Sequence, residues 1–168
     1  MKNDSLNTVY LLLGSNLGDK LAFLNEAVVK IQEQIGPVVK KSSIYRTAAW
    51  GNTQQDDYYN QAIEIKTSFD AHQLLEKTQA VEAALGRIRT PNTKWMPRTI
   101  DIDILFFNSD VLATTLLVVP HPLIQERKFV LQPLEEIAPN FYHPTLSKRI
   151  ADLNAELPLE GVLEPLPQ

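Results

Sequence analysis

The first apolar stretches of the chain alternate between strand-like and helix-like patterns. Residues 8–13 are apolar and end at Gly14, which predicts a buried strand. Residues 14–19 form a strand-to-helix turn; they lack the Gly-Lys-Ser/Thr ending of a phosphate-binding P-loop. Apolar residues then recur at helical spacing over about residues 19–35, and Gly36 ends the pattern. The predicted buried stripe of this helix is Leu24, Ala27, Val28, Ile31 and Ile35.

The same two patterns return in the next stretch. Residues 38–45 and 58–66 are predicted to be strands. A second helix is predicted over about residues 71–85, with Asp70 as its N-cap and Gly86 directly after its last turn. Near the end of this helix Gln79 and Glu82 lie three residues apart, so they are expected to face the same way.

The clearest strand pattern covers residues 98–107. One face, predicted to be the core face, carries Ile100, Ile102, Ile104 and Phe106, and the other carries Thr99, Asp101, Asp103 and Leu105. The two carboxylates are then neighbours, roughly 6.5–7 Å apart at their Cα atoms. They would repel each other unless a cation lies between them, and Mg²⁺ suits oxygen ligands of this kind.

An Asp-x-Asp pair alone is a weak motif, and a solvated strand face is the simpler explanation for it. The preceding segment changes this view, because no acidic residue lies between Glu82 and Asp101. The cations that fall there are Arg87, Arg89, Lys94 and Arg98. Cations that bind phosphate oxygens, beside carboxylates that bind the metal, suit a polyphosphate substrate. Residues 87–97 also contain Trp95 and two prolines, and we expect a lid-like loop there.

The rest of the chain is predicted to contain shorter elements. These are a turn at 108–110, strands at 111–112 and 116–119, a helical turn at 123–127, and helices at 133–139 and 147–157. The element order is not a strict βαβ alternation, so it predicts an α+β, ferredoxin-like α/β/α sandwich with a central, mainly antiparallel sheet and helices on both faces. One domain is expected over residues 1–168, with a core at about 8–157 and a Pro-rich tail at 158–168.

Composition narrows the class of protein. The 168 residues are 44% hydrophobic and 21% charged, which is typical of a soluble domain. The net charge of −4 disfavours a general nucleic-acid binder, and the absence of cysteine excludes disulfides. No signal peptide or membrane-spanning run is evident, so a cytoplasmic monomer without membrane contact is expected. His72 and His143 show no ligand spacing and are predicted to lie on the surface.

Several motifs together resemble the 6-hydroxymethyl-7,8-dihydropterin pyrophosphokinases of the folate pathway over about residues 9–139. They are LGSNLGD at 13–19, YRT at 45–47, KWMPRTIDIDIL at 94–105, VPHP at 119–122 and RKFVLQPL at 127–134. The resemblance implies transfer of the terminal two phosphates of ATP to the hydroxymethyl group of a reduced pterin, with AMP and the pterin diphosphate as products. It implies two Mg²⁺ ions as cofactors and ATP as co-substrate.

The resemblance also implies roles for individual residues. Asp101 and Asp103 would hold the two Mg²⁺ ions, with Arg87 and Arg98 as the catalytic arginines. The pterin would be bound by Thr47, the main chain at Ala48, Trp50, Tyr58, Asn60 and Phe129. The ATP contacts would be Gln79, Glu82, Arg87, Arg89, Lys94, Trp95, Arg98, Ile104, His121 and Arg127.

Four positions depart from the family pattern, and two other function classes stay open. Trp50 stands where the pattern has an aliphatic residue, and Met96 stands where it has glycine. Leu116 and Val118 stand where some members have arginine and threonine. One alternative is another Mg²⁺-dependent Asp-x-Asp transferase, which would need a sugar-nucleotide pocket. The other is an RNA-binding ferredoxin-like module, which would need a basic sheet surface.

Overall fold

The computed structural model describes residues 5–48, 56–88, 98–158 and 163–167. Its strands are β1 (Asn7–Ser15), β2 (Val38–Lys41), β3 (Tyr45–Thr47), β4 (Tyr58–Thr67), β5 (Asp101–Phe107), β6 (Leu112–Ala113), β7 (Val118–Val119) and β8 (Leu163–Pro165). Its helices are α1 (Lys20–Gln34), α2 (Ala71–Ala84), α3 (Lys128–Ile137) and α4 (Ile150–Glu156), with a 3-10 turn at Ile124–Glu126. None of the described helices is long and apolar enough to cross a membrane.

The main sheet has the strand order β5-β1-β4-β3-β8, and β2 also pairs with β4. Every strand pairing in the described residues is antiparallel, including the separate β6-β7 ladder. β1 lies between β4 and β5, so it is buried on both edges. The predicted α+β class with a mainly antiparallel sheet is confirmed.

Helices cover both faces of this sheet, because β1 sends alternate side chains to opposite sides. Val9, Leu11 and Leu13 pack with the apolar stripes of α1 and α2, among them Leu24, Ile31, Leu74 and Val81. Tyr10 and Leu12 pack on the other side with α3 and α4, among them Leu131, Leu134, Ile150 and Leu153. The sandwich predicted from the element order is therefore present.

Side-chain caps define where the first two helices begin. The Asp19 carboxylate accepts a hydrogen bond from the Ala22 amide (3.1 Å) at the start of α1. Asp70 and Gln73 form a reciprocal capping box at the start of α2. Gly86 follows α2 with φ at +90°, a left-handed conformation that favours glycine. These local signals explain why both helices were predicted within about one residue.

The face prediction for β5 is wrong at Phe106. The register against β1 shifts between Tyr10 and Leu11, so Phe106 pairs with Tyr10 while Ile104 pairs with Leu11. Leu105 is the extra residue of a β-bulge, which breaks the simple alternation. Leu105 and Phe106 therefore both join the α3–α4 core, whereas Ile104 stays in the α1–α2 core. The strand also begins at Asp101 rather than at residue 98.

Other boundaries differ where tertiary contacts override the local pattern. The strand predicted at 38–45 is two strands, β2 and β3, which pair with different parts of β4. α3 begins at Lys128 and carries Pro133 inside it, although a later start was predicted. α4 spans Ile150–Glu156, shorter than predicted. Part of the Pro-rich tail forms β8, which adds to the sheet beside β3.

The two histidines without predicted ligand roles differ in exposure. His72 is exposed, as predicted, and its Nε2 lies 3.1 Å from the Thr114 hydroxyl. The surface prediction for His143 is wrong, because that residue is buried against Phe106. Its Nδ1 accepts hydrogen bonds from the Thr145 and Leu146 amides, at 3.3 and 3.2 Å. Burial lowers the pKa of His143, so the ring is a neutral structural group.

Candidate active site

Three neighbouring strands place the carboxylates of β5 and the side-chain amide of Asn60 on one face of the sheet. Gly14 of β1 pairs with Asp101 of β5 on one side and with Asn60 of β4 on the other. Directly paired residues share a face, so Asp101 and Asn60 face the same side across Gly14, about 9.5 Å apart at their Cα atoms. Asp103 lies two residues further along the same face of β5.

Gly14 forms the floor between these two groups. A Cβ atom at this position would lie 2.9 Å from the Asn60 side-chain oxygen and 3.8 Å from the Tyr58 ring. Real Cβ contacts are not that short, so any side chain here would displace Asn60. The absence of a side chain at Gly14 therefore allows the Asn60 side-chain oxygen to lie over β1, on the face that also carries Asp101.

Arg87 joins the end of α2 to the start of β5. Its Nη1 donates to Glu82 Oε2 (2.7 Å) and to Asp101 Oδ1 (2.6 Å). The same Glu82 oxygen accepts from the Ile102 amide (2.8 Å), between the two aspartates in the chain. Glu82 is only 1% exposed, so this buried carboxylate fixes both the guanidinium of Arg87 and the backbone between Asp101 and Asp103.

Arg98 approaches the same carboxylate from the other side. Its Nη1 donates to Asp101 Oδ2 (2.9 Å), so each oxygen of Asp101 accepts from an arginine. The backbone of Arg98 is held by the buried Asn16, whose side-chain oxygen accepts from the Arg98 amide (2.9 Å). The main-chain N–H of Asn16 in turn donates to the Arg98 carbonyl (3.1 Å). The turn after β1 therefore positions Arg98.

The two aspartates carry opposite pKa shifts. Burial alone would raise the pKa of Asp101, but the Arg87 and Arg98 guanidinium groups outweigh it and lower that pKa. Burial, together with the charges of Asp101 and Glu82, raises the pKa of Asp103 to about 7. Asp103 makes no side-chain hydrogen bond within the described residues, so it is the carboxyl that most needs a cation.

This donor set fits a divalent cation that also binds substrate oxygens. No group of three or more acidic, histidine or cysteine side chains that could hold a metal occurs in the described residues. The pair Asp101 and Asp103 would supply only part of an Mg²⁺ shell, and substrate phosphates would have to supply the rest. The fit requires that Arg87 and Arg98 release the Asp101 oxygens.

Three of the side chains predicted to bind the pterin, those of Thr47, Tyr58 and Asn60, lie together at one end of the site. The Asn60 side-chain amide donates to the Thr47 hydroxyl (3.1 Å), and both residues are buried. Tyr58 is half-buried two residues before Asn60, and burial raises its phenol pKa while Arg98 and Arg87 oppose that shift. Ala48 is exposed at the end of β3. A buried amide beside an aromatic ring suits a flat, polar heterocycle.

His121, Arg127 and Phe129 lie on the segment that follows β7. The His121 amide donates to the Leu105 carbonyl (3.0 Å), which joins this segment to β5. Burial and the charge of Arg127 lower the pKa of His121 to about 4, so its imidazole is neutral near pH 7. The guanidinium carbon of Arg127 lies 5.6 Å from the centre of the half-buried Phe129 ring.

Two predicted nucleotide contacts are not brought into this cluster. Gln79 is exposed on α2 whereas Glu82 is buried, and no contact joins Gln79 to the cluster within the described residues. The Ile104 side chain packs in the α1–α2 core, on the face opposite to the aspartates. The remaining predicted site residues, Trp50, Arg89, Lys94 and Trp95, lie outside the described residues, as does Met96.

Sequence reasoning missed Gly14 and Asn16 as site residues. Both lie in the turn that it explained only as a route from strand to helix. The sequence did contain a signal for Asn16. An asparagine directly after a buried strand is costly to bury unless it has a hydrogen-bond partner, so such a partner could have been predicted. That partner, the backbone of Arg98, is 82 residues away in the chain and becomes evident only in the fold.

The family described as 7,8-dihydro-6-hydroxymethylpterin-pyrophosphokinase (HPPK) matches residues 10–139. A 2-amino-4-hydroxy-6-hydroxymethyldihydropteridine pyrophosphokinase of Aquifex aeolicus is 41% identical over 149 residues, which are 89% of this chain and 91% of that protein. Its Bacillus subtilis counterpart is 47% identical over 132 residues, 78% of each chain.

Solved structures with a similar fold belong to longer proteins. A Plasmodium falciparum HPPK-DHPS triple mutant superimposes with a TM-score of 0.73 at 16% identity, covering 92% of this chain and 45% of that one. An HPPK-DHPS in complex with substrates superimposes with a TM-score of 0.70 at 15% identity, covering 89% and 43%. The chain thus spans less than half the length of these proteins, and at this identity the likeness concerns the fold.

Proposed function

The chain belongs to the 7,8-dihydro-6-hydroxymethylpterin-pyrophosphokinase family, and from that premise we propose that it transfers the β,γ-diphosphate of ATP to 6-hydroxymethyl-7,8-dihydropterin. The products are AMP and the pterin diphosphate. The observation that carries the proposal is the placement of Asp101 and Asn60 on one face across Gly14. A pterin over Gly14 would present its hydroxymethyl group toward the carboxylate and arginine cluster.

Recognition of the pterin rests on the buried pair Asn60 and Thr47. Because the Asn60 amide nitrogen donates to Thr47, its oxygen is directed over Gly14 and can accept from an exocyclic amino group. Tyr58 lies beside this position and supplies an aromatic surface, and Phe129 would close the opposite side of the ring. The main chain at Ala48 completes the edge contacts.

The phosphate end of the site is prepared by charge. Arg87 and Arg98 lie mostly buried beside Asp101, and once they release its oxygens they can stabilise charge that develops on the transferred phosphates. His121 is neutral and can donate a hydrogen bond to a phosphate oxygen from Nε2, since its Nδ1 accepts from the Leu123 amide (3.2 Å). Phosphoryl-type transfer depends mostly on such positioning and charge stabilisation.

Asp101 and Asp103 would hold Mg²⁺, which when bound supplies neutralisation and orientation of the phosphates. In the ligand-free arrangement Arg87 and Arg98 neutralise Asp101 instead. Release of these arginines from Asp101 makes both guanidinium groups available to the nucleotide. The hydroxymethyl oxygen then bonds to the β-phosphorus of ATP. The bond between that phosphorus and the oxygen that bridges it to the α-phosphorus breaks, so this oxygen leaves with AMP, and the hydroxyl proton passes to water.

The test is nucleotide analysis after incubation with ATP, Mg²⁺ and 6-hydroxymethyl-7,8-dihydropterin. We expect AMP only when pterin and a divalent cation are both present. ADP as product would mean transfer of a single phosphate and would contradict the proposal. Asn60→Ala serves as a matched variant, because it should raise the KM for the pterin by about tenfold or more and leave the KM for ATP near its original value.

A further inference from the structure

The β8 strand is the edge of the sheet next to the candidate pterin site. It lies outside residues 10–139, the stretch that the family match covers. β8 pairs with β3 in register, with Tyr45 opposite Pro165, Arg46 opposite Glu164 and Thr47 opposite Leu163. The other edge of β3 pairs with β4, where Thr47 lies opposite Tyr58. β3 is therefore enclosed between the pterin-facing strand and β8.

The position of Thr47 depends on this enclosure. β3 is only three residues long, too short to hold its place through one neighbouring strand. Its first residue is anchored independently, because the Tyr45 hydroxyl donates to Glu136 of α3. Among the described residues, Thr47 at the other end lies opposite Tyr58 of β4 and opposite Leu163 of β8. Because the Thr47 hydroxyl accepts a hydrogen bond from the Asn60 side-chain amide, a shift of β3 would disturb the Thr47–Asn60 pair.

The hydrogen-bond pattern identifies which residue of β8 holds β3. The Leu166 amide donates to the Ile44 carbonyl (2.8 Å), so Ile44 and Leu166 form a hydrogen-bonded pair. Pairs alternate along an antiparallel ladder, which makes Arg46 and Glu164 the next hydrogen-bonded pair. Pro165 then occupies a non-bonded position, and its missing N–H faces away from β3. A proline is tolerated there and blunts the outer edge of the sheet.

Side-chain charges add a second connection between β8 and the loop that precedes β4. The Arg46 guanidinium lies 3.0 Å from Glu164 and 3.9 Å from Asp57, which flanks Tyr58. Lys20 donates to the Asp57 carbonyl (3.1 Å) and lies over the Tyr59 ring. Because Arg46, Asp57 and Glu164 are all largely exposed, these ion pairs contribute less than the backbone ladder.

We propose that β8 is a positioning element for pterin binding, which sets the Thr47–Asn60 pair by pairing with β3. This inference rests on the proposed function, since it concerns the same pterin site. It makes no claim on the nucleotide site, because Asp101, Arg87 and Arg98 lie on β5 and its approaches, at the opposite edge of the main sheet from β8. The proposal therefore predicts that loss of β8 pairing weakens binding of the pterin but not of ATP.

The experiment breaks the ladder in the full chain with Glu164→Pro, which removes the amide that faces β3. We expect faster hydrogen exchange at the Arg46 amide and a pterin Kd, measured by fluorescence titration, raised about tenfold. The KM for ATP and the kcat at saturating pterin should stay within about twofold. A variant that was only less stable overall would not weaken pterin binding while leaving the KM for ATP unchanged.

Two matched variants separate the backbone ladder from other effects. Pro165→Ala changes a residue whose nitrogen faces away from β3, and it should leave exchange and pterin Kd unchanged. Glu164→Gln removes the Arg46 ion pair but keeps the amide, and it should raise the pterin Kd by about twofold at most.

Rapid Arg46 exchange with an unchanged pterin Kd would overturn the inference. If Glu164→Pro left β8 paired, the chain shortened to residue 158 provides the same comparison, since both apolar cores lie within residues 9–157. Failure of the unaltered chain to form AMP would instead contradict the proposed function, while the direct pterin titration would still test β8.

Discussion

At the scale of single residues, the candidate site combines one carboxyl whose pKa is lowered with one whose pKa is raised. Asp101 accepts from two arginines, whereas the pKa of Asp103 is raised to about 7 by burial and by the charges of Asp101 and Glu82. A raised carboxyl pKa means that ionisation of Asp103 costs folding free energy. The residue is thus kept at the expense of stability, which is common at functional sites.

Asp103→Asn should therefore stabilise the ligand-free protein and abolish AMP formation. The ionisation penalty is absent below the unfolded pKa near 4 and is complete above the folded pKa near 7. The gain in melting temperature of Asp103→Asn should then be larger at pH 8 than at pH 4.5, measured without divalent cations. An equal difference at both pH values would contradict the raised pKa, and full turnover would contradict the metal role.

Gly14→Ala tests the floor of the site. The new methyl group would lie 2.9 Å from the Asn60 side-chain oxygen, so Asn60 has to turn away. We expect the KM for the pterin to rise about tenfold, with the KM for ATP nearly unchanged. The double variant Gly14→Ala/Asn60→Ala should be no worse than Asn60→Ala alone, because both changes act through one amide. Additive losses would mean that Gly14 acts by another route.

At the scale of elements, α2 begins at a stabilising cap and ends at the candidate site. Its start carries the Asp70–Gln73 capping box, about one helix length from the site. Its last turn carries the buried Glu82, which binds Arg87 and the Ile102 amide. The same helix thus carries the capping box at its start and, in its last turn, the carboxylate that contacts the backbone of β5.

Variants at the two ends of α2 should separate these roles. Asp70→Ala should lower the free energy of unfolding by about 1 kcal/mol and leave kcat unchanged, because only the cap is lost. Glu82→Gln can still accept from the Ile102 amide but no longer offers a charge to Arg87, and we expect kcat to fall by about tenfold or more. Denaturant unfolding and steady-state kinetics measure both. A kcat for Glu82→Gln equal to that of the unaltered chain would show that Arg87 needs no such support.

At the scale of the whole molecule, the two apolar cores share the same strands. β1 buries Leu11 and Leu13 in the α1–α2 core and Leu12 in the α3–α4 core. Neither helical layer can separate without exposing one face of β1. The two cores should therefore behave as one cooperative unit.

Leucine-to-alanine changes in each core test this cooperation. Leu24 lies in the α1–α2 core and Leu131 in the α3–α4 core, and both are fully buried. Leu24→Ala and Leu131→Ala should each lower the free energy of unfolding by about 2–5 kcal/mol. Each variant should still show one transition, coincident by circular dichroism and tryptophan fluorescence. Separate transitions for one variant would show that its layer unfolds alone.

The sequence by itself determined the elements whose signals are local. Caps and glycines at Asp19, Asp70 and Gly86 define helix ends, and the alternation around Asp101 and Asp103 predicts their shared face, because each signal acts within a few residues. The motif from residue 94 to 105 indicated the family, which the comparisons confirm. The predicted roles of single site residues remain predictions.

Only the tertiary structure decided which distant groups meet. The bulge at Leu105 moves Phe106 to the other core, β8 pairs with β3, and Asn16 holds Arg98. Gly14 became a site residue because its strand lies between Asp101 and Asn60. Cross-strand register and long-range hydrogen bonds set these contacts, and residue periodicity encodes the face of each strand but not its neighbour.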